Sequence, residues 1–339
     1  MTAKQGVLLV NLGTPDSPSV KDVRRYLAAF LTDGRVIDIH PFWRKLLVRG
    51  LIVPFRGPRS AALYRQVWDT QTGSPLLHYS RLQQQLLQQE LGEAWVVALA
   101  MRYGNPSIAA AMANLQTAKV TRIRVIALFP QYASATTGSV HQQVMDLVSR
   151  WPVIPEISFV NSFHDLELLI GAFAANGRKY QPRSYDHILF SFHGLPQRQL
   201  LKSDHMRAHC FQTTNCCSTF GARNRHCYSA QCYHTASLIA GQLQLRPGHF
   251  TVCFQSRLGR EPWLQPYTSD VIRQLAAEGK KRLLVFCPAF VADCLETLQE
   301  IGLEYRKAFL DAGGEELQLV EGLNGSPLFT RALAALAIG

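Results

Sequence analysis

Short apolar runs recur along the chain, and each is unbroken rather than alternating with polar residues. They fall at 6–11, 95–101, 122–129, 156–161, 187–192, 250–254, 282–287 and 316–321. Unbroken runs of this length predict strands covered on both faces, the habit of parallel sheets. Amphipathic stretches lie between most of them, at 19–31, 79–91, 107–117, 139–151, 166–176, 235–243, 269–278 and 294–312. Apolar residues recur three and four apart there, as in Ile272, Leu275 and Ala276. That spacing predicts helices with one buried stripe. Strand–helix alternation over the whole length predicts an α/β fold of doubly wound parallel sheets. Two four-stranded units fit the pattern better than one eight-stranded barrel, with the break near 161–165. The expected division is 1–162, then 163–313, then 314–339 as a last strand and helix packing back.

In open α/β sheets ligands sit beyond the strand carboxyl ends, so the polar residues closing each run matter most. The first run closes in Asn11-Leu12-Gly13-Thr14-Pro15, and the second in Arg102-Tyr103-Gly104-Asn105-Pro106. Neither is a dinucleotide fingerprint or a phosphate-binding P-loop, and neither motif occurs elsewhere in the chain. The third closes in Pro130-Gln131-Tyr132, followed by Thr136-Thr137-Gly138-Ser139 entering a helix. Such an entry can hold an anion, although plain capping by Ser or Thr is commoner. In the second half, one run closes in His193-Gly194-Leu195-Pro196 and another in Asp293-Cys294-Leu295-Glu296. Asp293 and Glu296 are three apart and can share a helix face, where the helix dipole alone favours carboxylates. A histidine and a glutamate at neighbouring strand ends also suit proton removal or metal contact.

Composition changes the picture in two places. Thirty-five Lys and Arg against 24 Asp and Glu give a net charge of +11, which favours an anionic partner. Segment 41–55 combines Trp43, Leu46, Leu47, Leu51, Ile52 and Val53 with Arg44, Lys45 and Arg49. It suits an interfacial helix or loop on a membrane surface, or a half-buried helix with snorkelling cations. Neither a secretory signal nor a membrane-spanning helix is expected, and a reducing cytoplasm is the expected compartment.

Five of the eight cysteines fall within 23 residues: Cys210, Cys216, Cys217, Cys227 and Cys232. His205, His209, His226, Arg207, Arg223 and Arg225 share this segment with few large apolar residues. It cannot build a core of its own, and four thiolates on a metal would supply the missing stability. A tetrahedral zinc and an iron–sulfur cluster both fit. The spacing is not that of paired C-x-x-C units, which favours a [2Fe–2S] cluster. Five candidates for four positions leave one spare, expected to be one of the vicinal pair Cys216–Cys217. Cys253, Cys287 and Cys294 read as buried thiols.

Together these residues resemble the ferrochelatase family over essentially the full length. The resemblance rests on the strand-end motifs above, on Tyr64 with Gly73-Ser74-Pro75, on Phe254-Gln255-Ser256-Arg257 with Pro262-Trp263-Leu264, and on Asp293 through Leu298. It implies two doubly wound Rossmann-like domains with parallel four-stranded sheets and a porphyrin cleft between them. It also implies an enzyme inserting Fe²⁺ into protoporphyrin IX, releasing two protons. His193 and Glu296 match the family's catalytic and metal-contacting positions. Their division of labour is left open. Arg102, Tyr103, Arg56, Tyr64, Ser74, Leu12, Gln131, Thr137 and Trp263 match positions around the macrocycle and its propionates. Segment 41–55, within a lip spanning about 30–60, matches the active-site lip, which implies peripheral contact with the inner face of a membrane. The 203–232 insertion resembles an internal [2Fe–2S] segment of some bacterial members, with structural zinc as the alternative. Departures are Leu12, where some members have Met, and Cys294, where others have His. Protein partners supplying porphyrin or accepting haem are compatible with this reading; nucleic acid is not an expected partner. A coproporphyrin or other-metal chelatase, a haem or iron sensor, and a zinc-containing nucleic-acid-binding protein are the alternatives.

Overall fold

A computed structural model describes residues 4–204, 208–213, 215–257, 259 and 261–339. His205 and Arg207 of the cysteine segment lie outside the described residues. Two compact units form. The first takes the chain up to Phe129, with Ala133–Asn161 and Thr330–Gly339; the second takes Pro130–Tyr132 and Ser162–Phe329.

The first unit is built on β1 (Gln5–Gly13), β2 (Trp95–Tyr103), β3 (Arg122–Ala127) and β4 (Glu156–Val160). They lie in the order β2-β1-β3-β4, all parallel. The second unit carries β5 (His187–His193), β6 (Phe250–Gln255), β7 (Arg282–Phe286) and β8 (Glu316–Leu319). Its order, β6-β5-β7-β8, repeats the first, again all parallel. The repeat is one of topology, carried by the same apolar pattern without an evident sequence repeat.

All eight apolar runs are strands, and their burial explains why. Leu8, Val10, Ile123 and Val125 pack with Ile108, Met112, Val140 and Val144 of the covering helices. Leu189, Leu283 and Val285 pack with Ile272, Leu275, Ile301 and Phe309 in the second unit. Ser19 and Ser107 cap their helices by accepting the backbone N–H groups of Asp22 and Ala110. In both sheets the strand order reverses beside the first strand of the unit. The crevice beyond the strand carboxyl ends at that reversal is where doubly wound sheets hold ligands. Asn11–Gly13 occupy that position in the first unit and His193 in the second.

The helices depart from expectation mainly in winding, with Val53–Val67 and Gln197–Ser203 as helices the pattern did not predict. Leu47–Ile52, Ser134–Gly138 and Glu296–Tyr305 are wound as π-helix. The stretch 294–312 was expected as one regular helix; it is a π-helical segment followed by an α-helix at Arg306–Asp311. Wide turns of this kind cluster at functional sites. Most of the stretch expected as a lip lies in a helical run from Pro41 through Val67 that includes a π-helical turn at Leu47–Ile52.

Candidate active site

His193 is the last residue of β5, and its Cα partner in β6 is Gln255. His193 Nδ1 lies 2.7 Å from the Gly194 carbonyl oxygen. A carbonyl only accepts, so Nδ1 carries a proton, and in the neutral ring the lone pair lies on Nε2. Tyr228 donates to the His193 carbonyl at 2.9 Å, bracing the strand end. Trp263 and Phe290 stand on the ring, with centroids at 6.5 and 6.4 Å.

Gln255 joins this strand end to Glu296. It is buried, and its Oε1 accepts from Ser191 at 2.9 Å. Its Nε2 donates to the Glu296 carbonyl at 3.0 Å and to the Glu300 carboxylate at 3.2 Å. Glu300 also accepts from the Ser256 N–H at 3.0 Å and from the Tyr305 hydroxyl at 2.9 Å. Burial and the neighbouring Glu300 push the Tyr305 hydroxyl far above its ordinary value, so it stays a donor. Glu300, which the sequence reading passed over, thus anchors the π-helix to the end of β6.

Asp293 does not share a working face with Glu296. It is 4 % exposed and accepts from Thr297 at 3.0 Å, Gly322 N–H at 3.1 Å and Asn324 at 2.7 Å. Burial raises its pKa despite these bonds. Cys294 is buried too; burial, then the charge of Glu296, pushes its thiol well above the ordinary value. Trp263 is buried and bridges to Pro196. Gln131 is spent within this unit, donating to Thr235 at 3.1 Å.

In the first unit, Arg102 and Tyr103 end β2 around an acid that sequence reading missed. Asp33 Oδ2 accepts from Arg102 Nη2 at 2.6 Å, Tyr103 at 2.8 Å and Ser139 at 2.6 Å. Arg102 Nε also reaches Ser139 Oγ at 2.6 Å. The guanidinium is thereby engaged inside the protein. Gly13 makes the approach possible: at φ +117° it lies against the Tyr103 carbonyl, where a Cβ would clash with backbone. Thr137 is fully buried in the Ser134–Gly138 turn. Ser74 is buried at a helix N-cap, and Tyr64 meets Tyr26 and Trp68 edge-on at 6.3 Å each. Leu12 is half-buried and Arg56 is exposed on the lip helix.

Burial works against the Asp33 charge, but bonds from Ser139, the Arg35 N–H and Tyr103, with the Arg102 charge, outweigh it and lower its pKa. A lowered folded-state pKa contributes stability that is complete above the ordinary carboxylate range. That contribution is lost as pH falls through the folded value. Asp33→Asn removes the charge facing Arg102 and sets an N–H₂ against either the Arg35 N–H or the three side-chain donors, and is expected to cost about 1–3 kcal/mol at pH 7. The cost shrinks toward pH 2, which chemical denaturation at the two pH values measures.

The Ferrochelatase family pattern matches residues 4–338. A curated ferrochelatase of Coxiella burnetii (strain Dugway 5J108-111) is 43% identical over 334 residues, covering 98% of this chain and 93% of the relative. One from Legionella pneumophila (strain Lens) is 41% identical over 333 residues, covering 98% of both. The chain belongs to the ferrochelatase family. A solved structure described as SirB from Bacillus subtilis with Fe³⁺ covers 99% of the chain and 94% of its own, with TM-score 0.52 at 12% identity. That likeness is one of fold.

The cysteine segment of this family member surrounds a cavity of about 300 Å³. Cys210, Cys216, Cys217 and Cys227 line it with His209, His226, Arg223 and Arg225. Its loops are pinned by side chains. Asp204 accepts from the His209 and Cys210 N–H groups at 2.9 and 2.8 Å. Asn224 donates to the Cys216 and Thr219 carbonyls at 3.2 and 2.8 Å. The sulfurs of Cys216 and Cys217 are 3.7 Å apart. Hydrogen bonding with Cys227, then burial, pushes the Cys217 thiol far up. Cys227 is pushed up to about 11, first by its bond with Cys210. Crowded thiols of this kind resist ionising until a cation joins them, which is the donor chemistry of a metal or cluster site. The vicinal pair was expected to hold the spare, but both members line the cavity. Cys232 does not; it is fully buried on the helix Tyr228–Gln242 beside Tyr228.

Proposed function

We propose that the protein inserts ferrous iron into protoporphyrin IX, with His193 and Glu296 at the reacting centre. Membership of the ferrochelatase family makes it an enzyme that inserts iron into a porphyrin in haem synthesis. The observation that carries the finer reading is the Gln255 link. One buried amide ties the strand carrying His193 to the start of the helix carrying Glu296. Insertion must strip two pyrrole protons and bring a hydrated cation to the ring. His193 Nε2 offers a lone pair for a proton or for the metal. Glu296 offers a hard oxygen donor for the cation or a relay for protons. Trp263 supplies wall contact beside the His193 ring, and Gln131 holds the adjoining backbone.

Within the first unit Asp33 engages Arg102 and Tyr103, which holds these two matched residues as one rigid group. Arg56 is then the exposed guanidinium suited to a propionate, with Leu12, Tyr64 and Ser74 as further contacts. Anaerobic incubation with Fe²⁺ and either protoporphyrin IX or coproporphyrin tests the assignment. Haem absorption should rise with protoporphyrin; turnover confined to coproporphyrin overturns the choice of substrate.

The lip supports contact with a membrane at its cytoplasmic face. Phe42, Trp43, Leu46, Leu51 and Phe55 are each more than half exposed, among Arg44, Lys45 and Arg49. No helix among the described residues is long and apolar enough to cross a membrane. Apolar side chains with flanking cations suit an anionic interface. Replacing Leu51 and Phe55 by Ser is expected to weaken binding to anionic vesicles more than about tenfold, as read by co-sedimentation.

Cys210, Cys216, Cys217 and Cys227 are the proposed ligands of a [2Fe–2S] cluster, with tetrahedral zinc the alternative. Bound there, either group would supply cross-linking rather than porphyrin chemistry, and the cluster would add redox sensitivity.

A further inference from the structure

A second cluster of donors stands apart from both His193–Glu296 and the cysteine cavity. We propose that His164, Asp165 and His234 form an accessory site for a divalent transition-metal cation. One ligand atom from each lies within 4.8 Å of the other two. His164 Nε2 and His234 Nδ1 are 3.3 Å apart. Two nitrogens each about 2.0–2.1 Å from one tetrahedral cation are separated by roughly that distance.

The pair is built rather than incidental. His164 is 3 % exposed; its Nε2 is the nitrogen that meets His234, and its Nδ1, buried without a hydrogen-bond partner, is a separate position that the same cation does not use. That nitrogen stands 3.8 Å from Asp165 Oδ1. The His164 backbone is fixed by Thr235, which donates to its carbonyl at 2.9 Å. Phe220 stacks on His234 at 4.5 Å and meets His164 edge-on at 4.9 Å. This ring walls one side of the imidazole pair. Asp165 is half exposed and marks the open side, where a fourth position takes water or another ligand. Two imidazoles and one carboxylate select Fe²⁺, Co²⁺, Ni²⁺ or Zn²⁺ over Mg²⁺ and Ca²⁺.

Cobalt(II) titration of the full chain tests this, in a His193→Ala background so that the reacting centre does not contribute. The parent should bind one Co²⁺ with the visible absorption of nitrogen- and oxygen-ligated cobalt, distinct from thiolate charge transfer. His234→Asn should lose that equivalent. Asp165→Asn, at a half-exposed position that tolerates the change, should weaken it about tenfold or more, since even groups that only support a ligand are worth roughly 10–100-fold. Equal stoichiometry and affinity in the parent and Asp165→Asn overturn the site whether or not His234→Asn folds.

Discussion

Replacing His193 by alanine is expected to lower kcat for porphyrin metallation by about 10²–10⁴-fold, the range of a positioned general base. The orientation of the ring is what makes the effect large. Nδ1–H is tied to the Gly194 carbonyl at 2.7 Å, which leaves the Nε2 lone pair as the reactive position. Tyr228 holds the His193 carbonyl, so the backbone beneath the ring is fixed as well. A water in the vacated space has neither the basicity nor the placement of the imidazole. Porphyrin binding should survive, because the walls around the ring come from Trp263 and Phe290. The measurement is anaerobic haem formation with Fe²⁺, beside porphyrin binding and circular dichroism. Near-normal turnover in folded protein removes His193 from the reacting centre.

How much of this was legible beforehand depended on the type of signal. The eight strands were readable because parallel strands buried on both faces demand unbroken apolar runs. The position of His193 at a strand end was readable because it is the polar residue closing such a run. The π-helical winding of Glu296–Tyr305 was not readable. An i→i+5 ladder differs from an α-helix in its hydrogen bonds, and no residue type announces it. Glu300 was missed for the same reason: its meaning comes from Gln255, Ser256 and Tyr305, which are 44 or more positions away or one π-turn on. Asp33 sits in a loop 69 positions before Arg102, and an isolated loop acid reads as a solvated charge until its three donors are seen. That the five cysteines cluster along the chain was legible. Which of them line the cavity was not, since spacing does not say that Cys232 is fully buried on the helix Tyr228–Gln242.

Cys227→Ser is the substitution expected to disturb the second unit most. Cys227 lines the cavity with Cys210, Cys216 and Cys217, and its thiol is pushed up first by Cys210. It is also the N-cap of the helix Tyr228–Gln242. Anaerobically purified Cys227→Ser should show background iron and sulfide and none of the visible absorption of the parent, whereas Cys232→Ser should keep both. The segment has little core of its own, so losing the cross-link resembles losing a disulfide, about 2–5 kcal/mol. For a unit of this size that lowers the thermal midpoint by roughly 4–20 °C. The consequence reaches His193 through one residue: Tyr228 follows Cys227 directly and donates to the His193 carbonyl. Cluster loss should therefore reduce kcat only moderately, by loosening that brace, and far less than removing the imidazole. Cluster retention in Cys227→Ser with loss in Cys232→Ser would reverse the ligand assignment. A colourless parent carrying one zinc would keep the four sulfurs and replace the cluster.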